Sequence, residues 1–201
     1  MVQDEERRRA LQELTGANDF INEAPVFLVF LADLSRQGAI AAELSVPAAG
    51  LEYQEALLVA TVDAALAAQN AVVAAESLGL GTCYVGGIRT HVLEVARLLQ
   101  LPRFCYPVVG MALGHPAADA PGGVRPRLPL DAVRHFETYD ENASLGGVCD
   151  LEDANARYMA TWGKPDASWM QGAARRWQDE SGLGGRADNR AKIAELGFLD
   201  R

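Results

Sequence analysis

The stretch Ala74–Thr90, "AAESLGLGTCYVGGIRT", packs the end of an alanine-rich helix, a short strand and a Gly-Gly turn into seventeen residues. Gly79 and Gly81 end the helix, "TCYVG" reads as a strand, and Gly86-Gly87 turn the chain toward a new helix. Upstream, Leu51 to Leu78 has neither Gly nor Pro and is apolar on nearly every face, which predicts one long, largely buried helix. At 1.5 Å per residue that helix would run about 42 Å, more than the width of a small domain. It is therefore expected to pack against a second subunit as well as its own sheet, its many alanines allowing close approach. An alanine-rich core helix of a monomer is the alternative. The apolar tract Ala56 to Ala75 is not read as a membrane span, because Asp63, Gln69 and Asn70 interrupt it and no aromatic belt flanks it.

Working outward, "HVLEVARLLQ" has helical apolar spacing, with Thr90 as its expected N-cap. "RFCYPVVGMALG" (Arg103 to Gly114) reads as a strand in which Pro107 marks an edge or a bulge. "APVFLVFLAD" (Ala24 to Asp33) is a continuous apolar run, expected as a buried central strand. The charged start, "MVQDEERRRALQELTG", has no apolar run of the kind a signal peptide needs and predicts a helix ending at Gly16. A loop rich in Pro, Gly and Ala over residues 115–129 leads into "RPRLPLDAV". Beyond Tyr139 the character changes, and Trp162, Trp169 and Trp177 all lie there amid charged helical segments. The division expected is a core over 1–140 and a helical extension over 141–201.

With 201 residues, 49% apolar and 22% charged, the chain has the composition of a soluble globular protein. A net charge of −9 argues against nucleic acid or an anionic membrane as partner, both of which need a positive field. Cys83, Cys105 and Cys149 are odd in number and show no CxxC, so neither a disulfide framework nor a metal site is signalled, and a cytoplasmic location fits.

The usual hydrolytic patterns are absent. There is no GxSxG, HExxH or GxxxxGK[ST], and His91, His115 and His135 read as loop or cap residues. Gly79-Leu80-Gly81 closes a helix instead of opening one, unlike a dinucleotide fingerprint. Two features remain. Gly86-Gly87, at a strand end before a helix, would let a flat or anionic ligand approach the backbone without meeting a Cβ; a tight connection needing positive φ is the alternative. In "VRPRLP", Pro126 stiffens the backbone between Arg125 and Arg127, so that two guanidinium forks could clamp a phosphate; a solvated basic loop is the alternative.

In order and spacing, "LTGANDFINEAPVFLVFLADLSR", "AAESLGLGTCYVGGIR", "LLQLPRFCYPVVGMALGHP" and "RPRLP" resemble the nitroreductase family, in its larger NADPH-dependent flavin oxidoreductase and oxygen-insensitive nitroreductase branch. The resemblance runs from about Leu11 to about Tyr139. It implies an α+β fold, a nitroreductase-like α/β/α sandwich with a central mixed sheet and a long buried dimer-interface helix. It also implies a homodimeric flavoprotein that binds FMN, takes electrons from NADPH or NADH and reduces small flat acceptors (nitroaromatics, quinones or free flavin) by a ping-pong cycle. No side chain is then expected to act as acid or nucleophile, since the flavin carries the chemistry.

Carried over by position, Tyr84, Val85, Gly86, Gly87 and Ile88 match the segment lying against the isoalloxazine ring, with the Gly87 N–H toward flavin N5. Arg125 and Arg127 match the basic-Pro-Arg motif that serves the FMN phosphate, and Asn18 an amide near the pyrimidine edge of the ring. Trp162 falls where the branch has an arginine for the 2′-phosphate of NADPH, and Lys164, two residues on, is the candidate to replace its charge. Full-length members open with an Arg-Ser-x-Arg helix and a Ser-rich segment that this sequence lacks, which implies either a misassigned gene start or a shortened member. The rival expectation is a shortened, non-catalytic dimeric scaffold that no longer holds flavin.

Overall fold

A computed structural model describes residues 1–16, 19–117 and 123–199. They form two compact units, one from the described residues of 1–118 and 185–201, the other from those of 119–184. The units thus divide elsewhere than at residue 140, and the last part of the chain returns to the first unit.

The first unit is built on a three-stranded sheet of order β1-β3-β2, formed by β1 (Val26–Asp33), β2 (Gly81–Val85) and β3 (Cys105–Gly114). Both pairings are antiparallel, whereas a mixed sheet was expected. The central strand is β3. The apolar run of β1 is an edge strand of the described sheet, made hydrophobic because Phe27 and Ala32 are fully buried. Val2 bridges its outer side, donating to Phe27 O at 2.7 Å and accepting from Phe27 N at 3.0 Å. Pro107 sits at a break in register, where Phe30 faces Val109 and Leu31 faces Pro107, so a bulge and not an edge accommodates the missing N–H. Gly110 lies under the Phe27 ring, which a Cβ at that position would strike.

Helix α1 (Glu5–Leu14) begins at Asp4, whose carboxylate accepts from Arg7 N at 2.9 Å, and buries Leu11. The short α2 (Phe20–Glu23) buries Ile21, and α3 (Ser35–Glu43) follows β1. The long helix is α4 (Gln54–Ser77), preceded by a 3-10 turn at Ala49–Glu52 that takes up part of the expected helix. Its buried residues, Ala60, Ala64, Ala68, Val72 and Ala75, form one stripe at three- and four-residue spacing. The small side chains let the helix lie close to the sheet. The rest of α4 is not buried within one chain: Leu58, Val59, Val62, Leu66 and Val73 are exposed. Among the described helices, α4 alone has the length and apolarity to cross a membrane, with 22% of the window buried.

Gly79, at φ 74°, ends α4, while Gly81 already belongs to β2. Helix α5 (Val92–Leu98) starts from His91; Thr90 closes the preceding turn in helical conformation and caps nothing with its side chain. The last helix of this unit, α9 (Asn189–Glu195), brings Leu196 and Phe198 into the core. There Phe104 N donates to Leu196 O at 2.7 Å, and the Phe104 and Phe198 rings meet edge to face at 5.8 Å.

In the second unit, α6 (Leu130–Val133) packs on α7 (Glu141–Thr161), where Gly147 leaves room for Ala132 and Pro129. Helix α8 (Trp169–Gln178) is capped by Ser168, which accepts from Gln171 N at 3.0 Å. It is tied to α7 by Met170 N donating to Glu152 Oε2 at 2.9 Å. Bonds from Ser168 and Met170 hold the Glu152 carboxyl below its ordinary range.

The three thiols differ. Cys83 and Cys149 are exposed, whereas Cys105 is buried, and burial, reinforced by Asp33 and opposed by Arg36, pushes its pKa up to about 11. Only the thiolate reacts with an alkylating reagent. Mass spectrometry after iodoacetamide treatment of the native protein near neutral pH is expected to find Cys149 modified well before Cys105; equal rates would mean that Cys105 is open to solvent.

Candidate functional site

β2 delivers the chain into a 3-10 turn at Gly86–Arg89. Val85 and Ile88 point into the core beside Leu11 and Val95. They anchor the turn, and of the five residues Tyr84 to Ile88 only Tyr84, Gly86 and Gly87 leave a surface that a ligand could use without unpacking the core. Neither glycine has positive φ. The two serve different ends. A Cβ on Gly87 would run into the Thr15 carbonyl at the end of α1, so this glycine permits close backbone approach. A Cβ on Gly86 would meet nothing nearer than Arg89 Nη2 at 3.5 Å.

Gly86 opens onto a cleft of about 470 Å³. One wall comes from α4 (Ala65, Ala68, Gln69), another from Tyr84 and Arg89, and the base from Val108 and Val109 of β3. Tyr84 is 42% exposed, and its hydroxyl lies 3.5 Å from Gln69 Oε1. Burial raises the Tyr84 pKa, so the phenol stays neutral at ordinary pH. Arg89 is half-buried and donates from Nη1 to the Val108 carbonyl. A mainly apolar cleft with the Gly86 backbone and one cation, Arg89, in its lining suits a planar aromatic ligand with a polar rim.

The returning segment supports this turn from behind. Arg186 Nη1 donates to Gly86 O at 3.2 Å, and Lys192 Nζ donates to Thr90 O at 3.3 Å while paired with Asp188 at 2.8 Å. Tyr106, almost fully buried, feels both Arg89 and Arg186: burial raises its pKa, and the two guanidinium charges oppose the rise. Sequence reading missed Arg89, Arg186, Lys192 and Gln69. Arg89 at least adjoins the glycine pair; Arg186 lies 100 residues away from Gly86 with no motif to connect them.

The second unit carries its own cluster. Arg125, Tyr158, Met159, Trp162 and Lys164 surround a cleft of about 160 Å³. The Tyr158 and Trp162 rings stand 5.9 Å apart. Arg127 instead folds back, its Nη1 donating to Arg125 O at 3.2 Å and Pro126 O at 3.4 Å. The two arginines therefore do not converge as a pair of forks; Arg125 groups with Trp162 and Lys164. Asn18 lies outside the described residues. Among the described residues no cluster of His, Cys, Asp and Glu could hold a metal ion.

Residues 1–115 match the model of the nitroreductase family, and residues 125–201 match that of the family's C-terminal domain. The chain belongs to the nitroreductase family. A curated relative, an FMN reductase (NAD(P)H) of Bacillus subtilis, is 38% identical over 177 residues, which is 86% of this chain and 70% of that protein. An oxygen-insensitive NADPH nitroreductase of Salmonella typhimurium is 44% identical over 138 residues, 69% of this chain and 55% of that one. Among solved structures, the NADPH:FMN oxidoreductase of Vibrio harveyi complexed with NAD+ superposes with a TM-score of 0.84 at 32% identity, covering all of this chain and 79% of that one. The nitroreductase fold, an α+β class, is thus shared across the whole described length.

Proposed function

We propose that this nitroreductase-family chain is an FMN-dependent oxidoreductase that takes electrons from NADPH or NADH and reduces nitroaromatics, quinones or free flavin, as a homodimer in the cytoplasm. The observation that carries the reading is the mainly apolar cleft lined by Gly86 and Arg89, which suits a flavin ring; the names of the relatives agree with it. Bound FMN would supply the reversible redox chemistry. The chain's own part is placement. Gly86 keeps a side chain out of the cleft, Gly87 lets the turn lie close against Thr15, and Tyr84, Arg89 and Val109 bound the space. The scaffold reading has less in its favour, since a chain that had lost its ligand would have no need to keep this cleft open.

Purification of the full chain and a visible spectrum test the reading. A yellow protein that releases about one FMN per chain supports it, and a colourless protein that ignores added FMN refutes it.

The cluster at Arg125, Trp162 and Lys164 is assigned to the donor's 2′-phosphate and neighbouring aromatic base. One charge contact contributing roughly 1.4 kcal/mol corresponds to about tenfold selectivity. Lys164→Ala is expected to lower the NADPH/NADH preference by about that factor, measured as the ratio of kcat/KM values. Arg125→Ala separates the two phosphates: a raised FMN dissociation constant with an unchanged donor ratio places Arg125 on the flavin, and the reverse places it on the donor.

A further inference from the structure

Arg186 and Gly86 are joined across 100 residues by a bond between a guanidinium and a peptide carbonyl. That carbonyl and the Gly87 N–H belong to one peptide unit. A cation bonded to the oxygen withdraws electron density through the planar amide and makes its N–H a stronger donor. The bond also fixes the plane in which the peptide stands. Gly86 and Gly87 have no side chains to hold that plane, and Gly87 lies so close to Thr15 that a Cβ there would strike its carbonyl. Lys192 holds the far end of the same turn by the Thr90 carbonyl, so two cations of the returning segment bond to the two ends of Gly86–Thr90.

We propose that Arg186 is a positioning residue of the redox site, fixing and polarising the Gly86–Gly87 peptide so that its N–H is presented to the electron-accepting edge of a bound flavin. The inference rests on the FMN reading above. It gives Arg186 no contact with donor or acceptor; the residue acts through the peptide it holds.

The experiment exploits the sequence. Glycine labelled with 13C at the carbonyl and 15N at the amide gives a coupled signal only from Gly-Gly peptides, which occur at 86–87, 122–123, 146–147 and 184–185. Gly86→Ala removes and so assigns the 86–87 signal. In the full chain freed of flavin, Arg186→Met is expected to move the Gly86 carbonyl and Gly87 amide-proton resonances upfield, with 122–123 and 146–147 unchanged. Arg186→Lys, which keeps the charge, is expected to bring them part of the way back. The FMN dissociation constant should rise about tenfold in Arg186→Met and recover with Lys, for loss of one charge-assisted bond. The melting temperatures of the three proteins, taken without flavin, should not follow that order. An unmoved 86–87 signal, or a moved signal with FMN binding equal to the parent, overturns the proposal while leaving a yellow parent and the FMN reading intact. A parent that binds no FMN overturns the FMN reading first and the proposal with it.

Discussion

Gly87→Val is expected to cost the protein its folded state, not merely its ligand. From sequence, the natural expectation is that a side chain at this turn would push a flavin ring away and leave the fold largely intact. The structure reverses the direction of that side chain: the Cβ would run into the Thr15 carbonyl, with the Thr15 carbonyl carbon at 3.0 Å and its Cβ at 3.2 Å. The obstacle is main chain at the end of α1, which cannot step aside as a flexible side chain would. Overpacking of this kind costs about 1–3 kcal/mol even where neighbours can shift, and a branched residue against backbone belongs at or above the upper end. Thermal or urea unfolding should show a melting temperature lowered by several degrees at least, or no soluble protein. Gly86→Ala is the matched control. Its methyl has open space on the cleft side, so it should fold like the parent and report on the ligand alone. A Gly87→Val protein as stable as the parent would show that the turn does not lie against Thr15.

In the homodimer proposed above, Leu66→Glu is expected to leave single chains. Leu66 is 65% exposed and Val62 49% exposed, one turn apart on the face of α4 turned away from its buried alanine stripe. An apolar face of this kind on a helix of 24 residues would suit a second copy packed across a two-fold axis. One substitution then places two carboxylates in the same contact, and an unpaired buried charge costs several kcal/mol, enough to weaken association by about a hundredfold or more. Glutamate is a good helix former, so α4 itself should persist by circular dichroism. Light scattering decides: a parent of two chains and a variant of one support the interface. A parent that is already single-chain, or a variant that stays paired, excludes it.

What was legible in the sequence followed from period and punctuation. The alanine-rich segment announced α4, Gly79 announced its end, and the four ordered stretches pointed to the family. How the apolar surface of α4 divides between its own chain and another was not legible, because an all-round apolar helix can be covered by either and composition does not distinguish the two. The order of strands was misread for a related reason: the unbroken apolar run of β1 is the mark of a strand covered on both faces, and coverage says nothing of whether neighbours lie on both edges. Pro107 left both of its permitted settings open, and the bulge at Phe30 and Leu31 selected one. At the site, Tyr84 through Ile88 were legible as a segment but not residue by residue. Which side chains of a five-residue turn face the core depends on its dihedral angles, and these the sequence does not carry. Arg186 was illegible altogether, since its partner is a peptide carbonyl and any residue would offer one.

The return of residues 185–199 to the first unit has a consequence for the order in which the protein can fold. The partners of Phe198, among them Phe104, lie far earlier in the chain, and the Phe104 amide waits for the Leu196 carbonyl. Such non-local contacts form only after the entropy of closing a long loop has been met. During synthesis the sheet and α4 emerge early, yet their shared core stays unsealed until residues 185–199 have left the ribosome. The nascent chain must therefore carry an open apolar pocket through the making of the whole second unit, the interval in which chaperones have most to protect.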